Sequence, residues 1–246
     1  MYMMRLCIKC HANTFFQLFP DACHRFISKV INFKNDRVVQ YFNNTTNPFS
    51  QNTISINDQF YSDEKALKTY FSKERLEFYQ DVGAFLKKSK IPLNGKTILD
   101  AGCGTGHLLL LILKLYPSSK VEGFDFSISA IRYAKKLVKN GTFYVYNVYN
   151  RFPNTYDCIL CTEVIEHLKY PTKAIRNLIS SLQMSGTCII TVPNGRIDTL
   201  EEHINFWSPE SWKVYLHEII DNRICTIQTG FLTKKTLYAI IRKRNI

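Results

Sequence analysis

What the 246-residue chain lacks narrows its class first. No apolar run approaches the ~18 residues that a membrane-spanning helix needs. The opening "MYMMRLCIKCHANTFF" has neither the unbroken apolar stretch nor the small-residue cleavage site of a secretory signal. Internal repeats and low-complexity tracts are also missing, which excludes a solenoid or fibrous array. Acid is scarce: 20 Asp and Glu face 32 Lys and Arg, a net charge of +12. That surplus favours anionic partners such as nucleic acid, acidic lipid headgroups or phosphorylated substrates. The cations are spread out, however, with only small clusters at 87–88, 135–136, 234–235 and 242–244, the pattern of a solvated surface. A cytoplasmic protein with no transmembrane segment is expected, with peripheral contact to anionic membrane left open.

What is present suits a packed domain. Hydrophobic residues make up 46% of the chain and aromatics 13%, enough for one sizeable α/β core. Of eight cysteines, Cys103, Cys158, Cys161, Cys188 and Cys225 lie in or beside apolar runs. They read as buried reduced thiols, not as a disulfide framework.

Residues 1 to about 40 are basic and aromatic and hold Cys7, Cys10, His11, Cys23 and His24. Cys-x-x-Cys-His is a haem-attachment string, but that maturation requires export. A zinc knuckle from Cys7, Cys10, Cys23 and His24 (or His11) is the alternative, against which the second pair is adjacent where a knuckle spaces it. The simpler expectation is unliganded thiols on a basic arm. The stretch 43–58, "NNTTNPFSQNTISIND", reads as linker, so residues 1–60 form an arm and 61–246 the main domain. Ser62 would then cap the start of a helical region over 63–89, in one piece or two, where Leu76, Tyr79, Val82 and Leu86 recur at helical steps.

From residue 95 short apolar strands alternate with helices: "KTILDAG", "KVEGFDF", "TFYVYNV", "YDCILCTEV", "GTCIITVP", "RICTIQT" and "KTLYAIIRK" are the strands. This predicts an α/β fold, a doubly wound, mostly parallel seven-stranded sheet with an N-terminal helical extension. The short link before the final strand makes that strand antiparallel.

Gly102, Gly104 and Gly106 follow the first of these strands and permit a tight turn that a ligand can approach closely. Asp100 before the turn would disfavour a pyrophosphate and favour a cationic ligand. Asp125 ends the second strand, where an acid can accept bonds from two ribose hydroxyls. "LDAGCGTG", "GFDFS", "YDCILCTEVIEHL" and "GTCIITVPNG", in this order and spacing, resemble the class I methyltransferases that use S-adenosylmethionine. The resemblance covers residues 95–195 well and 200–246 loosely. It implies that Asp100, Ala101, Gly102, Cys103, Gly104 and Gly106 wrap the methionine part of the cofactor. Asp125 would hold the ribose, Phe126 would pack on the adenine, and Glu163 would line the pocket. Asn147 stands where such families often carry an acid for the adenine amine; its amide oxygen can accept the same bond.

In "TEVIEHL" (162–168), Glu163, Glu166 and His167 would share one face of a helical turn. E-x-x-E-H resembles the ubiquinone-pathway O-methyltransferases and, more distantly, small-RNA 2′-O-methyltransferases, in which such residues hold a divalent metal. His203 would complete a set of Glu163, Glu166, His167 and His203. The same string also occurs in metal-free methyltransferases, where the histidine lines the acceptor pocket, so His167 and His203 are the catalytic candidates either way. Trp207 and Trp212 would form an acceptor wall or belong to the core, the commoner fate of such residues. The resemblance thus implies O-methylation of a small-molecule or lipid- or glycan-linked acceptor. RNA 2′-O-methylation, or a non-catalytic S-adenosylmethionine-binding partner subunit, are the alternatives.

Overall fold

The computed structural model describes residues 37–38, 53–63, 65, 67 and 71–245. Cys7, Cys10, His11, Cys23 and His24 lie outside them. In chain order the strands are β1 (Arg37–Val38), β2 (Thr97–Ala101), β3 (Lys120–Asp125), β4 (Gly141–Val145), β5 (Tyr156–Thr162), β6 (Leu182–Pro193), β7 (Phe206–Trp207), β8 (Cys225–Phe231) and β9 (Thr236–Lys243). The helices are α1 (Ile54–Ser62), α2 (Lys73–Lys88), α3 (His107–Leu115), α4 (Ile128–Leu137), α5 (Pro171–Ser180) and α6 (Pro209–Ile219).

Seven strands form one sheet in the order β4-β3-β2-β5-β6-β9-β8, with β9 antiparallel to both of its neighbours and the remaining pairs parallel. The doubly wound sheet with its reversed last strand is therefore as the sequence predicts. Successive residues of a strand face opposite sides, and the two sides carry separate cores. Ile98, Leu160, Ile189 and Ile240 pack with α2, α3 and α4 on one face. Leu99, Ile159, Ile190 and Ile241 pack with α5 and α6 on the other. This explains why the strands read as unbroken apolar runs: both faces are covered. The order reverses beside β2, leaving a crevice at the carboxyl ends of β2 and β5, where ligands of such sheets bind.

Cap chemistry sets where the helices begin. The hydroxyls of Thr53, Ser72, Ser127 and Ser208 accept the first free amides of α1, α2, α4 and α6. Two expectations change here. The linker ends early, because α1 starts at Ile54, and Ser62 closes that helix where it was expected to open the next. Within 63–89, α2 begins only after Ser72, in keeping with a helical region in two pieces.

Cys103, Cys158, Cys161, Cys188 and Cys225 are buried free thiols. No helix among the described residues is long and apolar enough to cross a membrane. Trp207 and Trp212 are 1% and 0% exposed and lie against Tyr215, with ring centroids 5.1 to 6.0 Å apart. They are core residues, not an acceptor wall. Trp212→Ala should lower the unfolding free energy by ~3–5 kcal/mol, read by urea denaturation. Trp212→Phe should cost less than half as much, because the indole N–H has no hydrogen-bond partner to lose.

Candidate functional site

A cavity of about 490 Å³ opens at the carboxyl edge of the sheet. Its floor is the turn after β2. Gly102 adopts a φ of +79°, and a Cβ there would lie 2.4 Å from Val164 Cγ2, so no other residue fits without displacement. Gly106, at a φ of +82°, starts α3 in the left-handed region. The turn is tied to β3, with the amides of Gly102 and Cys103 donating to Phe124 O at 2.8 and 2.9 Å. The amides of Gly104 and Ser127 donate to the Asp125 carboxylate at 3.0 and 2.9 Å.

Asp100, Gly102, Cys103, Asp125, Phe126, Asn147 and Glu163 all border the cavity. Ala101 is buried inside β2, and Gly104 and Gly106 shape the turn from behind. Asn147 Oδ1 already accepts the Tyr149 amide at 2.9 Å. Asp100 is 2% exposed, and its Oδ1 has no hydrogen-bond partner. Burial, reinforced by Asp125, raises its pKa to about 7. Burial likewise raises Asp125 to about 6, against the amides of Ser127 and Gly104 that lower it.

"TEVIEHL" does not form the helical turn its spacing suggests. Glu163 sits at a φ of +54°, and its Oε1 accepts a bond from Thr191 Oγ1 at 2.9 Å. Only Ile165–His167 winds, as one 3₁₀ turn. Glu166 is fully buried, and neither carboxylate oxygen has a hydrogen-bond partner. His167 Nε2 stands 3.8 Å from Glu166 Oε1, and His167 Nδ1 lies 3.2 Å from Glu202 O. His203 Nδ1 lies 2.5 Å from Asp198 Oδ2, and the two imidazoles meet edge to face at 4.6 Å. The loop carrying His203 is bound to the same turn, because Ile204 and Asn205 both donate their amides to Glu166 O at 3.0 Å. Donor atoms of Glu166, His167 and His203 thus gather within 4.8 Å of one another. Glu163, expected as the fourth member, is outside that group. Burial, then the charge of Glu163, pushes Glu166 well above the carboxylate range. Burial, then His203, holds His167 down at about 3. His167 lines the cavity; Glu166 and His203 lie behind it.

Sequence reasoning missed one wall. Ile56, Asn57, Phe60 and Tyr61 of α1 border the cavity, as do Arg75 and Tyr79 of α2. The available signal was the pair of i, i+4 steps, 56 to 60 and 57 to 61, inside what read as linker.

Residues 71–219, well over half of the chain, match the family model described as a methyltransferase domain. The chain belongs to that family. Among curated relatives, it is 30% identical over 114 residues to the tRNA U34 carboxymethyltransferase of Helicobacter pylori (strain Shi470), covering 43% of each chain. It is also 30% identical over 146 residues to the malonyl-[acyl-carrier protein] O-methyltransferase of Bacillus anthracis, covering 54% of each. The chain spans about half the length of the curated relatives it matches. Among solved structures, the plantazolicin methyltransferase BpumL in complex with a pentazolic desmethylPZN analog and SAH superposes with a TM-score of 0.61 at 17% identity. That match covers 80% of this chain and 97% of the other. The DhpI–SAH complex superposes equally at 14% identity, covering 82% and 100%. These two share the fold. The cofactor of this methyltransferase class is S-adenosylmethionine, and the domain suits it. Asp100 presents a buried, unpartnered oxygen beside the cavity, the feature a cationic ligand would relieve.

Asp100 also makes the cofactor-free domain pH-sensitive. Its folded pKa lies above the ordinary 3.8, so the folded state holds the proton more tightly than the unfolded one. Its contribution to stability is whole below about pH 3.8, falls as pH rises towards 7, and levels off above. Asp100→Asn lacks this loss. Thermal denaturation without cofactor should show the variant gaining on the wild type between pH 4 and 7 and keeping its advantage at pH 8.

Proposed function

We propose that the protein is an S-adenosylmethionine-dependent O-methyltransferase for a small-molecule or carrier-linked acceptor, lipid- or glycan-linked acceptors included. One observation carries this: a single cavity joins the glycine turn, Asp125 and Phe126 at one end to Glu163 and His167 at the other. The cofactor supplies an electrophilic sulfonium methyl group, so the protein must align the acceptor and relieve its oxygen of a proton. Asp125 offers its carboxylate to the ribose, and Asp100 favours the cationic end. His167 serves the acceptor. Its Nδ1 faces a carbonyl and therefore carries the hydrogen, which leaves Nε2 with a lone pair. With its pKa lowered by burial, the ring is unprotonated at neutral pH, and Nε2 is available to accept a hydrogen bond from an acceptor hydroxyl. Proton transfer to it requires that the bound acceptor or cofactor raise that pKa again. The O-methyltransferase acting on malonyl-[acyl-carrier protein] among the relatives supports oxygen as the methylated atom.

A divalent metal held by Glu166, His167 and His203 is the alternative route, favoured by the buried, unpartnered carboxylate of Glu166. Carboxylate plus imidazole suits Mn²⁺, Zn²⁺ or Fe²⁺, and Asp198 behind His203 is the carboxylate that commonly orients such a ligand. Such an ion would supply Lewis acidity toward an acceptor hydroxyl. Glu163, bonded to Thr191, is not part of that set. A nucleic-acid acceptor, supported by the +12 charge and the tRNA-modifying relative, belongs in the same screen.

Transfer of a labelled methyl group from S-adenosylmethionine to phenols, sugars, lipid- and carrier-linked acceptors and RNA tests the proposal. Cofactor binding without transfer to any of them would leave a cofactor-binding partner subunit instead. By calorimetry, Asp125→Ala should weaken S-adenosylmethionine binding by ~2–3 kcal/mol, the scale of lost charge-assisted bonds. His167→Ala should cut turnover ~10²-fold or more at nearly unchanged cofactor affinity. If the metal route operates, a chelator abolishes turnover and Mn²⁺ restores it; if His167 acts alone, the chelator has no effect.

A further inference from the structure

Helix α1 contributes four residues to the cavity wall, and its polar anchor is the start of α4, beside Asp125. Asp58 Oδ1 accepts two bonds from the start of α4: Ser127 Oγ donates at 2.5 Å and the Ser129 amide at 3.1 Å. One turn later, Ser62 Oγ lies 2.9 Å from Ser129 Oγ. Ser127 is a shared node. Its hydroxyl accepts the Ala130 amide to cap α4 while donating to Asp58, and its own amide donates to Asp125 at 2.9 Å. The Asp58 carboxylate, some 70 residues upstream, thereby fixes the rotamer of the residue whose amide holds the ribose-side acid. Two of the side chains it turns to the cavity are apolar and partly open. Ile56 is 44% exposed and Phe60 37%, although both line the cavity. Apolar side chains left in this state gain burial when a ligand fills the space they face.

We propose that Asp58 is a positioning residue for the cofactor site: through Ser127 it sets Asp125, and through Ser127 and Ser129 it clamps α1 over the bound cofactor. The proposal rests on the reading that this cavity takes S-adenosylmethionine and that Asp125 meets its ribose. Burial works to raise the pKa of Asp58, but the bonds from Ser127, Ser129 and Ile128, with Arg132 nearby, bring it below the ordinary value. The carboxylate is therefore ionised at neutral pH and acts as an acceptor only.

The test measures S-adenosylmethionine and S-adenosylhomocysteine binding to the full chain, by calorimetry and stopped-flow dissociation. Asp58→Ala should raise Kd roughly tenfold for both ligands, the effect of one to two lost charge-assisted bonds, chiefly through faster dissociation. Asp58→Asn keeps an Oδ1 for both donors and should stay within about threefold of wild type, a rescue that a merely structural role of the charge would not give. Limited chymotrypsin digestion reads the clamp directly. S-adenosylhomocysteine should protect Phe60 and Tyr61 from cleavage in the wild type and protect them poorly in Asp58→Ala. Should Asp58→Ala not fold, Ser127→Gly keeps the Asp125-facing amide and a tolerated helix cap while deleting the hydroxyl; it should show the same loss. A folded Asp58→Ala with wild-type affinity and dissociation rate overturns the proposal, and so do equal losses in the Ala and Asn variants. A wild-type protein that binds neither ligand removes the cofactor reading and the clamp together.

Discussion

The site depends on how the Asp125 carboxylate is held. One of its oxygens takes the Gly104 amide from the turn after β2, and the other takes the Ser127 amide that opens α4. The turn and the start of α4 are thereby joined across a single side chain. The carboxylate is expensive to bury, and burial pushes its pKa to about 6. The amides recover part of that cost and fix its direction. Asp100, with an unpartnered oxygen, adds to the strain. The glycine-turn end of the cavity thus concentrates buried carboxylates, an arrangement that favours a positively charged ligand before any contact is made.

The His167 side of the cavity poses the same electrostatic problem more severely. Glu166 is buried without a hydrogen-bond partner for either oxygen, beside two imidazoles. A lone carboxylate in such surroundings is stable only if protonated or paired with a cation. The pKa shifts of Glu166 and His167 move in the directions that discharge both groups. Glu166 and His167 are therefore both uncharged at neutral pH, and bringing a cation or a reacting proton to them changes that. That property suits chemistry at the cavity end and would be a liability in a structural core.

Most of the fold was legible in the sequence, because the sheet is covered on both faces. Pairs such as Ile98 and Leu99, or Ile240 and Ile241, send one side chain to each core, so every inner strand announces itself as an apolar run. The glycine turn and Asp125 were legible for a related reason: a left-handed turn beside a strand end restricts residue choice strongly. Three features were not. The geometry around Glu163 depends on a positive φ and on Thr191, 28 residues away, and neither leaves a local trace. Helix α1 is polar enough to pass for linker, and its reason for being helical lies in α4 and the cavity. For Trp207 and Trp212, the sequence could not say which side of the sheet would claim them; the stack with Tyr215 decides it.

The placement of β9 bears on how the domain can be assembled. This strand follows β8 in the chain, yet it lies between β8 and β6. During synthesis, β6 emerges with one side unpaired, and β8 has nothing to pair with until residues 236–243 are available. β8 can therefore join the sheet only together with β9 or after it. Until then the nascent domain carries an open sheet edge whose residues Cys188 to Val192 are destined for full burial. Such an edge is a template for wrong pairing. The interval between making β6 and making β9 is consequently the stage at which a folding helper has most to protect.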